Sequence, residues 1–203
     1  MLKVGLTGGV ACGKSSVGEM FVARGAHLIK ADELAHQLMR PGQPVYEQIL
    51  QHFGRDIVNE EGTINRQKLA EAAFGGARVE ELNRLVHPAV IAHQERWMQE
   101  EGGRHPGAVV IVEAALILEA GVQKRFDKLV VVTCRPEQKI ARFAARQGIS
   151  EDAARAEVAR RQAAQRSDEE KVRAADFVID NSGSMVDTER QVDAVFRELK
   201  QLA

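Results

Sequence analysis

The chain is short of the features that mark several protein classes. Its two cysteines, Cys12 and Cys134, lie in separate segments without CxxC or Cys/His ligand spacing, so neither a disulfide framework nor a zinc motif is indicated. Aromatic residues are 4% of the chain, too few to build stacking platforms for nucleic-acid bases. Charge of one sign is also missing: 28 Lys and Arg stand against 29 Asp and Glu, a formal net charge of -1, which gives no global pull toward nucleic acid or a membrane surface. No apolar run approaches a membrane span. The chain opens on a short apolar strand rather than a basic segment followed by a long apolar one, so a cytoplasmic placement is expected. Internal repeats, low-complexity tracts and flexible linkers are absent as well.

What is there is the material of a globular core. The 203 residues, 44% hydrophobic, suit one domain carrying an insertion. Leu2 to Leu6, Ala26 to Lys30, Val109 to Val112, Leu129 to Thr133 and Phe177 to Ile179 read as five strands. Helical patterns between them point to a mostly parallel α/β sheet. Asp32 to Gly107 is far longer than a crossover needs, which predicts an inserted helical subdomain. Three helical faces recur inside it: Val45, Ile49, Leu50 and Phe53; Leu69, Ala72, Ala73 and Phe74; and Leu82, Leu85, Val86 and Val90. Gly102, Gly103, Pro106 and Gly107 then punctuate the return to the sheet. Pro136 to Arg173 reads as two or three short arginine-rich helices, with Ser150 as an N-cap and a capping box from Ser167 to Glu170.

Chemistry concentrates in a few places. Gly8, four residues, Gly13, Lys14 and Ser15 match G-x-x-x-x-G-K-[ST] between a strand and a helix, the context that gives this motif its meaning. Backbone N–H groups of such a loop and the positive helix end surround phosphate oxygens, the lysine reaches the terminal phosphates, and the hydroxyl holds magnesium. Asp32, just past the second strand, is a candidate general base or metal holder, or else the N-cap of a helix starting at Glu33. His36, one turn on, shares that face or is a surface histidine. Lys139, Arg142 and Arg146 fall at i, i+3 and i+7, a set of cations for a phosphate clamp or a solvated helix face; beside a P-loop the lid reading is preferred. Glu113 ends its strand, where burial of a carboxylate calls for a metal or an ion pair. Arg66 and His87 in the insertion are either donors to a polyanionic acceptor or ordinary helix residues. Cys12, at a helix N-terminus, is expected to carry thiolate character and to be shielded by nucleotide.

Taken in order, Leu6-Thr7-Gly8-Gly9 into Gly13-Lys14-Ser15, Ala31 to Ala35, Pro41-Gly42, Phe53-Gly54, Asn65-Arg66, His87-Pro88, Glu137-Gln138, Gln162 and Ala175-Asp176 through Asp180-Asn181 resemble the dephospho-coenzyme A kinase family over nearly the whole chain. The resemblance implies a three-layer P-loop sandwich with a helical acceptor-binding insertion and an arginine-rich lid. The division it implies is one kinase domain over 1–203, with a nucleotide-binding core of about 1–32 and 108–203, an insertion of about 33–107 and a lid of about 136–170. It also implies transfer of the ATP γ-phosphate to the ribose 3′-hydroxyl of dephospho-coenzyme A, with ATP and Mg²⁺ required, and gives no sign of nucleic-acid or membrane partners. Asp32, Lys14 and Arg142 would be catalytic; Gly8, Gly9, Ala11, Cys12, Gly13, Lys14, Ser15, Ser16, Arg142, Arg146 and Asn181 would bind nucleotide, Asn181 near the adenine. Asp32, His36, Arg66 and His87 would receive the acceptor, and Ser15 and Glu113 the metal. Two departures stand out: Cys12 replaces a usual serine or glycine, and Glu113 to Glu119 lacks the commoner proline. Neither removes a reacting group.

Three other readings compete. A kinase for a different nucleotide or nucleoside acceptor would use the same loop and lid. A GTP-dependent switch would need the guanine-reading Asn/Thr-Lys-x-Asp, which Asp180-Asn181-Ser182-Gly183 does not supply. A nucleic-acid module would use the arginines of 136–173, but acidic residues are interspersed there.

Overall fold

A computed structural model describes residues 1–73 and 76–203; Phe74, expected on an apolar helix face, lies outside the described residues. All five expected strands form: β1 Leu2–Gly8, β2 His27–Lys30, β3 Val109–Glu113, β4 Lys128–Thr133 and β5 Phe177–Asp180. They build one sheet in the order β2-β3-β1-β4-β5, with β1 parallel to β3 and β4, and β4 parallel to β5. The register sets Leu6 opposite both Glu113 and Val130, so β1 and β3 release their chains at the same edge.

The chain divides into two compact units, Met1–Ile29 with Glu100–Ala203, and Lys30–Gln99. In the first, the period-2 alternation of a strand sorts β4 between two faces: Val130 and Val132 join one apolar cluster, Leu129 and Val131 another. On the first face lie Val17 and Phe21 of α1 (Lys14–Ala23) with Val192, Val195 and Leu199 of α9 (Met185–Leu202). The second face is covered by Ile117, Leu118, Phe126 and Ala175. A sheet buried on both sides explains the nearly continuous apolar strands. Helix α9 is closed at its start by a capping box in which Ser184 and Asp187 bond reciprocally.

The second unit holds most of α2 to α5: α2 Ala31–Leu38, α3 Pro44–Phe53, α4 Arg66–Ala72 and the bulk of α5 Gly76–Arg104. Val45, Ile49, Leu50 and Phe53 are buried together on α3, as their spacing predicts. Asn65 caps α4 by accepting from the Lys68 N–H at 3.0 Å. The expected break at Gly102 and Gly103 does not occur, because α5 runs through both. Gly102 is there for contact, not for a turn: a Cβ on it would collide with the Met1 side chain. The arginine-rich stretch resolves into α6 Pro136–Gln147, α7 Glu151–Ala163 and α8 Asp168–Ala174. Among the described residues no helix is long and apolar enough to cross a membrane.

Phe21 carries the packing of α1 on α9, fully buried and 6.3 Å from the Phe196 ring centroid. Phe21→Ala is expected to cost about 3–5 kcal/mol in a urea denaturation curve. The neighbouring Val22→Ala, on the exposed side of the same helix, should cost less than about 1 kcal/mol.

Candidate active site

The loop between β1 and α1 is shaped by backbone conformations that side chains resist. Gly13 has φ 93°, and a Cβ there would strike the Asn181 amide; Ala11 takes φ 52°, a left-handed position for a residue with a Cβ. Such a winding turns successive N–H groups toward one concavity, the arrangement that receives phosphate oxygens at a helix N-terminus. Lys14 lies along the loop, its Nζ donating to the carbonyls of Gly8 at 3.2 Å and Gly9 at 3.0 Å. The loop's other carbonyl support comes from far along the chain. Asn181 Nδ2 donates to Cys12 O at 2.9 Å, and Arg142 Nη1 to the same oxygen at 3.5 Å. Arg142 Nη2 also donates to Asn181 O at 2.9 Å, and Thr188 Oγ1 fixes Asn181 Oδ1 at 2.9 Å. Asn181, expected beside an adenine, therefore has its side-chain amide committed to the loop.

Parallel strands deliver these groups to one edge. Asn181 follows β5, bonded through its N–H to Thr133 O of β4 at 2.8 Å, and Glu113 ends β3. The C-terminal edge of an open parallel sheet is where ligands are held. There Ser15 Oγ donates to Glu113 Oε1 at 2.7 Å, while Glu113 Oε2 is buried without a hydrogen-bond partner. A hydroxyl and a buried carboxylate oxygen with a vacant lone pair form a hard-oxygen donor set, the kind a magnesium ion takes. The residues present fit that ion, and the pair is the one the sequence singles out.

The three cations of α6 have separate fates. Lys139 is 1% exposed and paired with Asp168, the first residue of α8, so it is neither solvated nor a free phosphate donor. Spacing alone could not reveal this, because the partner lies 29 residues away. The pair roofs Gly9, whose missing Cβ would sit 2.9 Å from Lys139 Nζ and 2.8 Å from Asp168 Oδ1. Arg142 reaches the loop. Arg146 lies over the Phe143 ring at 5.4 Å, with Arg161 over the same ring at 5.1 Å. Arg160 and Arg161 of α7 both bond Glu157 at 2.7 Å, which holds that carboxyl down to about 2. Val10 of the loop packs with Phe143, Ala144, Ala154 and Val158 of α6 and α7, so the loop and these two helices share an apolar cluster.

In the second unit Asp32 is the second residue of α2, exposed, while the N-cap is Lys30. The cap role open to Asp32 in the sequence is thereby removed, since the helix starts two residues earlier than its pattern suggests. Burial, and next the Arg66 charge, push the His36 imidazole below its ordinary value, with Asp32 opposing. Arg66, Asp32 and Glu33 all lie near enough for their charges to act on His36. His87 is exposed on α5.

The expectation for Cys12 fails. Its thiol is fully buried, and that burial pushes its pKa up despite the opposing charge of Lys14, so it is a packed core group.

A family model for dephospho-CoA kinases matches residues 2–187. The dephospho-CoA kinase of Aquifex aeolicus is 40% identical over 200 residues, covering 98% of this chain and 98% of that one. The chain belongs to the dephospho-CoA kinase family. A crystal structure from Thermus thermophilus superposes with a TM-score of 0.78 at 31% identity, covering 98% of this chain and 97% of that one. The dephospho-CoA kinase of Campylobacter jejuni gives 0.70 at 27% identity over the same shares. This kinase is accordingly an ATP-dependent phosphotransferase of coenzyme A biosynthesis that phosphorylates dephospho-CoA.

Two outcomes follow for the loop of the kinase. Asn181→Ala leaves the buried Cys12 carbonyl without its shortest bond and is expected to lose about 1–3 kcal/mol of stability. ATP affinity by titration calorimetry should fall with it, about tenfold; unchanged affinity would show that the loop holds its shape without this bond. Alkylation of Cys12 in the folded protein should run at least about tenfold slower than in the denatured chain, with or without ATP. Fast labelling abolished by ATP would restore the thiolate reading.

Proposed function

We propose that this kinase transfers the γ-phosphoryl group of ATP to the ribose 3′-hydroxyl of dephospho-CoA, completing coenzyme A, with Asp32 as general base. The observation that carries the reading is the pairing of the phosphate loop with a buried, unpartnered Glu113 oxygen beside Ser15. Phosphoryl transfer asks little covalent chemistry of a protein and much positioning and charge stabilisation. The loop N–H groups of Ala11 to Ser16, with Gly8 and Gly9 before them, would hold the ATP phosphates. Lys14 would leave the carbonyls of Gly8 and Gly9 for the terminal phosphates, since an anion outcompetes neutral carbonyl oxygens for an ammonium group. Ser15 and Glu113 would hold Mg²⁺, which when bound neutralises charge on the phosphate oxygens. Arg142, already at the loop, would counter charge developing on the transferred group, and Arg146 would extend the cationic face of the lid.

Asp32 would take the proton of the attacking hydroxyl. An exposed carboxylate in the first turn of a helix, and two residues past β2, is free of structural duty, which supports a chemical one. Arg66 beside His36 offers positive charge to an anionic acceptor, and His87 a further donor. A division into a core of about 1–32 and 108–203, an acceptor-binding insertion of about 33–107 and a lid of about 136–170 accompanies this reading.

Asp32→Asn keeps the shape of the side chain and removes the base. Its kcat toward dephospho-CoA should fall about 10²- to 10⁴-fold while ATP binding without acceptor stays the same. Weakened metal-nucleotide binding, rescued by added Mg²⁺, would make Asp32 a metal ligand instead. Wild-type turnover in the folded variant would end the general-base assignment. An acceptor panel of dephospho-CoA, AMP, CMP and shikimate, assayed with ATP and Mg²⁺, should show turnover with the first alone.

A further inference from the structure

Away from the phosphate loop, three potential metal ligands, two imidazoles and a carboxylate, meet where the chain enters β2 and β3. His27 is the first residue of β2, and Glu101 and His105 occupy the end of α5 and the residue just past it, before β3 begins at Val109. Because Leu2 is opposite Val109 and the loop follows Gly8, this corner lies at the other end of the sheet from the nucleotide. Glu101 and His105 are i and i+4, a spacing that brings two side chains to one helical face. Glu101 Oε2 lies 2.6 Å from His27 Nδ1 and 4.0 Å from His105 Nε2, and the ligand atoms of the three residues are all within 4.8 Å of one another. The two imidazole rings stack with centroids 4.6 Å apart at 27°.

We propose that His27, Glu101 and His105 form a binding site for a divalent transition ion of the zinc type, separate from the magnesium and nucleotide site. Two imidazoles and one carboxylate suit zinc, cobalt or nickel, whereas magnesium prefers an all-oxygen shell. Ligand atoms of a tetrahedral zinc ion stand roughly 3.4 Å apart. His27 and Glu101, at 2.6 Å, would open by about 0.8 Å and the longer separations, up to 4.8 Å, would close by up to about 1.4 Å, shifts within reach of side-chain rotation. The carboxylate is already oriented: Arg104 Nη1 donates to Glu101 Oε1 at 3.1 Å, which turns Oε2 toward both histidines, as an outer hydrogen bond does in metal sites. Glu101 is 12% exposed and His105 54%, so the carboxylate is sheltered while a fourth position stays open to water or an exchanging ion. A plain hydrogen bond from His27 to Glu101 would explain those two residues. It would not explain why His105 stacks on His27 with its Nε2 turned to the same carboxylate oxygen.

Such an ion would tie residue 27 to residues 101 and 105, the points between which the chain leaves for the Lys30–Gln99 unit and returns. An ion bound by the folded chain and not by the unfolded one stabilises the fold in proportion to the logarithm of its concentration. The expected role is therefore structural support of the kinase, independent of phosphoryl transfer.

The test uses the untagged, full-length protein with excess Mg²⁺ to occupy the nucleotide site. Titration with Co²⁺ should give the visible absorption of a low-coordinate nitrogen-containing site, and Zn²⁺ should displace it. The thermal midpoint should rise with Zn²⁺ concentration. His105→Gln and Glu101→Gln should each weaken Co²⁺ binding at least about tenfold and abolish the zinc-dependent rise, with kinase turnover unchanged in His105→Gln. His105 is half exposed, so that variant will fold even if His27→Gln does not. No cobalt absorption up to about 1 mM would overturn the proposal. So would binding, or a zinc-dependent rise in midpoint, that persists undiminished in both the His105→Gln and Glu101→Gln proteins.

Discussion

A loop that aims its N–H groups at phosphate can spend few of them on its own chain, where only a long 3.5 Å bond from Cys12 N–H to Gly9 O is made, so its shape is held chiefly through its carbonyls. That constraint organises the first unit. The Gly8 and Gly9 carbonyls take the Lys14 ammonium, and the Cys12 carbonyl takes Asn181 and Arg142 from the C-terminal half of the chain. Each outside donor needs its own support: Thr188 at the start of α9 fixes Asn181, and the Asn181 carbonyl fixes Arg142. The nucleotide loop near residue 10 and a helix near residue 188 thus form one hydrogen-bonded assembly. The parallel sheet makes this economical, because β1 and β5 release their chains at the same edge.

Charge buried around α8 follows similar logic. Helix α8 is pinned twice, by Lys139 on Asp168 at its first residue and by Lys171, which reaches Glu119 at 3.3 Å and Gln165 at 3.0 Å. Both lysines are 1% exposed. Buried pairs of this kind add little net stability over apolar packing, yet loss of one partner strands a charge and costs about 3–5 kcal/mol. They therefore fix where α8 sits more than they strengthen the fold. A seven-residue helix could not hold its place through its own hydrogen bonds.

How much of this was legible in the sequence depends on the range of the interaction. The five strands could be read because each is a short apolar run bounded by turn residues, and the phosphate loop because its spacing is local. Ser15 and Glu113, named together as metal holders, meet through a 2.7 Å hydrogen bond because Ser15 opens α1 just past β1 and Glu113 ends the neighbouring β3. Helix α9 was passed over although Ser184 and Asp187 form a capping box and Val192, Val195 and Leu199 recur at helical spacing. Lys139, grouped by spacing with Arg142 and Arg146 as a phosphate clamp, is instead paired within the protein, because its carboxylate partner is on another helix. Cys12 was misjudged because a helix N-terminus favours the thiolate, while full burial, invisible in a motif, opposes it more strongly. Gly102 read as a helix breaker because sequence shows the missing side chain and not the methionine that fills its place.

Val10 belongs at once to the phosphate loop and to the apolar cluster of α6 and α7. Any movement that lifts those helices from the loop must bring Val10 and Phe143 into water, and exposure of apolar surface raises the heat capacity. The packing of α6 and α7 on the loop then has the temperature profile of a small hydrophobic core, weakening on cooling.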